Sequence, residues 1–131
     1  MKNIDDRMAK RLVETYVDGW RRNDLQNVSS PLSPDCIVIE SHGPTFHGIE
    51  AIRQWVENWI SAGSRIDRWD ITSFHFLEDA AAFEWDFECV AGGRHYHIEG
   101  VSIVEFSAGK ISAVREYRRT EAPYDGLNPS Q

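Results

Sequence analysis

Residues 81–91, AAFEWDFECVA, alternate without a break: Phe83, Trp85, Phe87 and Cys89 on one side, Glu84, Asp86 and Glu88 on the other. Period-two patterning of this kind specifies a strand with one buried and one wet face, because successive side chains of an extended chain point to opposite faces. A sheet that buries three aromatic rings from one strand needs a thick apolar cover on that side.

The cover is supplied ahead of the strand. Residues 4–23 place Ile4, Met8, Leu12 and Tyr16, with Val13, Val17 and Trp20, at three- and four-residue steps, which predicts an amphipathic helix. Asp5 and Asp6 suit its first turn, and Arg21 and Arg22 its last. DLQNVSSPLSP at 24–34 predicts a short helical turn and then a loop, because Pro31 and Pro34 forbid a long helix. CIVIE at 36–40 predicts a short strand, and SHGPTFHG at 41–48 a turn or hairpin. Residues 49–62 form a second helix with Ile52, Trp55, Val56, Trp59 and Ile60 on one face, stopped by Gly63.

Four strands follow, at roughly 65–78, 81–91, 94–106 and 110–119, broken at Glu78-Asp79, Gly92-Gly93 and Ala108-Gly109. In the last, Glu116 alternates with Val114 and Ser112, opposite Ile111, Ala113 and Arg115. The tail at 121–131 is polar and rich in Pro and Gly, and is expected to be loose. No internal repeat or second domain is visible, so residues 1–131 read as one domain with its core at about 4–120. Two helices cannot cover four long strands flatly. The expected fold is α+β: a curved, cone-like antiparallel sheet wrapped around N-terminal helices, cystatin-like or approaching an α+β barrel, and enclosing a pocket.

Composition narrows the partners. A net charge of −7, with no basic face, argues against nucleic acid. No apolar run approaches the length of a membrane span, and MKNIDDRMAKR has no apolar leader-like region, so a cytoplasmic location is expected. Cys36 and Cys89 lie in apolar strand-like runs outside any CxxC pair and read as small buried hydrophobes. Five Trp, six Phe and four Tyr in 131 residues suit a pocket for a small apolar molecule as well as they suit a core.

The segments YVDGWRRNDLQNV, CIVIE, GPTFHGIEAIRQWVENW and VEFSAGKISAVREYRR, in that order and spacing, resemble the nuclear-transport-factor-two-like superfamily. Within it the chain is similar to the SnoaL-like polyketide cyclases and the ketosteroid isomerases. That fold hosts both enzymes and binding modules. The resemblance to the isomerases implies an oxyanion donor at Tyr16 and a general base at Glu40. It puts Ser102 where the isomerases carry an Asp, a departure from their pattern. The resemblance to the cyclases implies an acid/base at Glu116, with no metal and no cofactor. Self-pairing through the outer sheet face is common in this superfamily, and the outward apolar residues Val101 and Ile103 suit a homodimer.

Candidate site residues are therefore Glu40, Glu116 and Tyr16 for catalysis. Trp20, His42, Trp55, Trp59, Trp85, Phe87 and Ser102 are candidates for ligand contact. His95 and His97 share a strand face but lack an obvious third ligand, so a metal site is not expected. No phosphate loop or nucleophile elbow appears. Two functions stay open: a cofactor-independent isomerase, cyclase or lyase acting on an apolar carbonyl compound, and a non-catalytic ligand-binding or dimerisation domain.

Overall fold

A computed structural model describes residues 4–128. The chain runs α1 (Asp6–Arg21), α2 (Leu25–Ser29), β1 (Leu32–Ile39), β2 (Thr45–His47), α3 (Ile49–Ser61), β3 (Arg65–Leu77), β4 (Ala80–Ala91), β5 (Arg94–Ser107) and β6 (Lys110–Arg118). The expected tail falls partly outside the described residues; as far as residue 128 it is exposed and belongs to no helix or strand.

Local chemistry starts the helices. Asp5 caps α1, its carboxylate accepting from the Met8 N–H at 2.9 Å. Asp24 caps α2 in the same way through the Asn27 N–H at 3.2 Å. The stripe that α1 buries is Ala9, Val13, Tyr16, Val17 and Trp20. Met8, expected on that stripe, is 42% exposed, because the inward face is rotated toward Ala9.

The six strands are ordered β2-β1-β6-β5-β4-β3, with β2 and β3 left as free edges, so the curved sheet does not close. The pairings from β3 to β6 are antiparallel, as is β1 with β2, but β1 lies parallel to β6. The curved sheet is thus antiparallel, as expected, except at that one pairing. The long excursion through α3 and β3–β5 separates β1 from β6, which lets the two meet in the same direction. β1 also starts earlier than expected. Its register slips between Leu32 and Ile37, and Pro34 falls in that irregular stretch, where a missing N–H costs no ladder bond. The expected 41–48 turn contains the three-residue edge strand β2.

Bulges bend the sheet and shift its alternation. In β3 the register passes from Ile66 opposite Cys89 to Arg68 opposite Glu88, skipping Asp67. In β6, Ile111 faces Phe106 and Ala113 faces Glu105, leaving Ser112 unpaired. Strict alternation puts Ile111 on the face opposite Val114; with the bulge at Ser112 both are buried.

The inner face depends on Gly100. A β-carbon there would stand 2.2 Å from the Tyr117 carbonyl oxygen and 2.7 and 2.9 Å from ring atoms of Trp85. The absent side chain lets the Trp85 indole lie over β5, and its Nε1–H donates to the Ser102 hydroxyl at 2.9 Å, both groups buried. Gly100→Ala is therefore expected to destabilise the fold by about 1–3 kcal/mol, the usual cost of overpacking, and to shift tryptophan emission. Urea unfolding with emission spectra checks this, and an unchanged midpoint and spectrum would contradict it.

Candidate functional site

The curl of the sheet against α1 and α3 leaves a cavity of about 480 Å³. α1 contributes Tyr16 and Trp20, α3 contributes Trp55 and Trp59, and the turn after β1 contributes Glu40, Ser41 and His42. The sheet supplies the opposite wall, with Ile66 and Trp69 from β3 and Trp85, Phe87 and Cys89 from β4. Tyr96 and Ile98 come from β5, and Glu116 and Arg118 from β6. All five Trp residues of the chain line this one space.

Aromatic contacts brace the walls. Trp55 stacks on Phe46 of β2 with ring centroids 4.2 Å apart and planes 7° apart, and Trp20 lies 4.6 Å from Trp55. Trp69 stands edge-on to Trp85, Phe87 and Tyr16. The edge strand β2, paired through only Thr45, Phe46 and His47, is thus also fixed to α3 by ring stacking.

Two carboxyls meet this largely aromatic lining. Glu40 follows β1 directly, and its backbone is held by the turn: its N–H donates to the Pro44 carbonyl at 2.9 Å and its carbonyl accepts from the Gly43 N–H at 3.0 Å. Burial raises the Glu40 pKa, and His42 beside it acts in the opposite direction. Glu116 lies on the inner face of β6, opposite Ser102. Burial, and then the negative charge of Glu40, push its pKa up to about 8. Burial also raises the Tyr16 pKa well above the ordinary phenol range, reinforced by Glu116 and opposed by the Trp20 indole, so Tyr16 remains a neutral donor.

At neutral pH the site therefore holds unlike groups: a protonated carboxyl, a partly solvated carboxyl and a neutral phenol. Two carboxyls whose environments push their pKa values apart can act as base and acid in one step.

Most of the residues singled out by sequence come together here. Ser102 does not. It is fully buried behind Trp85, accepting the indole N–H, and does not line the cavity. Its hydroxyl holds the Trp85 wall in place. Trp69 was hidden by the bulge at Asp67, since strict alternation sets Ile66 and Trp69 on opposite faces, whereas both line the cavity. His95 and His97 lie on the outer face. There His97 contacts Asp86 at 2.6 Å, His95 lies 3.4 Å from Glu88, and Arg68 pairs with both Asp86 and Glu88. Asp86, His97 and Glu99 are close enough to surround an ion, but the carboxylates already meet the chain's own cations, Glu99 through Arg119 at 3.1 Å.

Comparison with known proteins gives a consistent picture of the fold. The family model for the SnoaL-like domain matches residues 13–114. No curated protein matches the sequence. Among solved structures, a LEH-like epoxide hydrolase from M. tuberculosis superposes with a TM-score of 0.77 at 16% identity, over 86% of this chain and 84% of that one. A putative polyketide cyclase from Pseudomonas putida KT2440 gives 0.74 at 22% identity, over 86% and 92%. A protein of unknown function with a cystatin-like fold from Methylobium petroleophilum PM1 gives 0.72 at 20%, over 95% and 83%. At these identities the likeness establishes fold alone.

The raised Glu116 pKa makes stability depend on pH. An ordinary Glu releases its proton near 4.5, whereas Glu116 in the folded chain holds it to about 8. Between those values the folded chain binds the extra proton, so this contribution is complete below 4.5 and is lost as pH rises through 8. Glu116→Gln is expected to flatten that slope and to exceed the wild type in stability at pH 9, by on the order of 2–4 kcal/mol. Urea unfolding at pH 5, 7 and 9 checks this; parallel pH profiles for the two proteins would contradict it.

Proposed function

The chain belongs to the SnoaL-like domain family, and from that premise we propose that it catalyses cofactor-independent proton transfer on a small apolar carbonyl compound, as an isomerase, cyclase or lyase. The observation that carries this reading is the carboxyl pair on one aromatic cavity, Glu116 protonated and Glu40 less buried, beside His42.

The roles follow from the environments. Glu40, the less buried of the two, serves as base and takes a proton from the carbon next to the carbonyl. Glu116 gives its proton to the carbonyl oxygen as negative charge develops there, and Tyr16 donates a hydrogen bond to the same oxygen. The product of this step is a neutral enol, with Glu40 protonated and Glu116 ionised. If the enol is conjugated, Glu40 returns its proton at another carbon while Glu116 takes back the enol O–H proton, which isomerises the substrate; if instead the enol carbon attacks a second carbonyl in the same molecule, Glu40 protonates the new alkoxide while Glu116 takes back the enol O–H proton, which closes a ring. The aromatic walls exclude water and strengthen each of these interactions. The similarity to a putative polyketide cyclase supports the ring-closing version.

Hydrogen–deuterium exchange tests the shared first step. The ketone 2-decalone in D2O is expected to lose its α-proton NMR signals faster with the protein than in buffer. Glu40→Gln should slow this by about 10²- to 10⁴-fold, the usual scale of a lost general base. The wild-type rate should fall as pH rises through about 8, where Glu116 loses its proton. Exchange at the buffer rate, with tryptophan emission showing that the ketone binds, would instead establish a non-catalytic pocket.

A further inference from the structure

Arg118 is the single arginine in the cavity lining, which contains no lysine. It stands two residues beyond Glu116 on the inward side of β6, opposite Gly100 of β5. Because Gly100 has no side chain, the Trp85 indole takes the space over it, and the position facing Arg118 on β5 presents an aromatic ring in place of a polar partner. The intervening residue Tyr117 is turned outward and is 52% exposed.

Four other arginines on or next to these strands are neutralised, whereas Arg94, exposed at the start of β5, lies outside the cavity lining and has no ion pair among the described residues. Arg65 pairs with Asp67 at 2.8 Å, Arg68 with Asp86 at 2.7 Å, Arg115 with Glu105 at 2.6 Å and Arg119 with Glu99 at 3.1 Å. Among the described residues Arg118 has no carboxylate partner, although the chain carries 21 acidic side chains against 14 Lys and Arg. It is exposed, as is His42, which shares the cavity lining. An unpaired guanidinium is thus held at the wet edge of an otherwise aromatic and acidic cavity. A guanidinium fork matches a planar carboxylate with two parallel N–H···O bonds, which an ammonium does not reproduce.

We propose that Arg118 is the anchor for a ligand carboxylate, so that the natural ligand is an amphipathic organic acid with its apolar body against the Trp and Phe walls. This rests on the preceding reading for the cavity being the ligand site, and names the substrate class as a carbonyl compound that also bears a carboxylate. The ligand would lie with its acid at the rim and its apolar carbons inward, toward Glu40 and Glu116. A monoanion suits the site better than a dianion, because one arginine faces the ligand in a lining that also carries two carboxyls.

The test reads binding alone. Titration of 4-cyclohexylbutyrate and its neutral primary amide, followed by tryptophan emission and calorimetry, is expected to give the acid at least tenfold tighter binding to the wild type. Arg118→Gln should abolish that preference by weakening the acid and leaving the amide unchanged, while Arg118→Lys should keep part of it. Raising the salt concentration should weaken the acid and not the amide. Glu40→Gln should retain the preference, whatever it does to exchange of 2-decalone, so the anchor and the chemistry fail separately. Equal affinities for acid and amide in the wild type, equal losses in Arg118→Gln, or no acid binding at millimolar concentration would each overturn the proposal.

Discussion

The Trp85 ring occupies the space over Gly100, where a β-carbon would stand less than 3 Å from it, and the rest of the cavity is arranged around that contact. The ring is fixed by its hydrogen bond to Ser102 and by edge-on contact with Trp69 and Phe87. Trp69 in turn meets Tyr16 edge-on, which ties α1 to this wall. Rigid indoles meeting edge to face fill space less freely than aliphatic side chains, and here they hold a cavity open that leucines would collapse.

An open aromatic cavity is a costly place for charge, and the chain puts two carboxyls there. The cost is lowered unequally. Glu116 keeps its proton, while Glu40 sits in a turn next to His42 and nearer solvent. The proposed chemistry and stability are therefore opposed at this site. The feature that supplies a proton donor at neutral pH is the same one that destabilises the fold as pH rises. Residues kept at such a cost mark functional sites more often than structural ones.

Much of this was legible in the sequence because it rests on short-range patterns. The 81–91 alternation, the helical spacing of Tyr16, Trp20, Trp55 and Trp59, and the glycine turns are each written within a few residues. What escaped was set by the ladder. The bulge at Asp67 hid Trp69, the bulge at Ser112 reversed the face of Ile111, and the parallel pairing of β1 with β6 joins segments far apart in the chain. Ser102 shows the limit from the other side. Its position on the inward face was readable, but its use as a partner for the Trp85 indole depends on Gly100 two residues away and on a strand neighbour. Arg118 is not distinguishable in the sequence from Arg115 and Arg119 on either side of it; its place in the cavity lining and the ion pairs of those two neighbours set it apart.

The proposed acid–base chemistry depends on Glu116 holding a proton at neutral pH under the influence of Glu40. Carbon-13 NMR of the glutamate carboxyls across a pH titration reads this directly. One resonance, absent in Glu116→Gln, should titrate near 8 in the wild type and move lower in Glu40→Gln as the neighbouring negative charge is removed. If every glutamate titrates below about pH 6, within the range of ordinary carboxyls, the acid–base pair at the centre of this account does not exist.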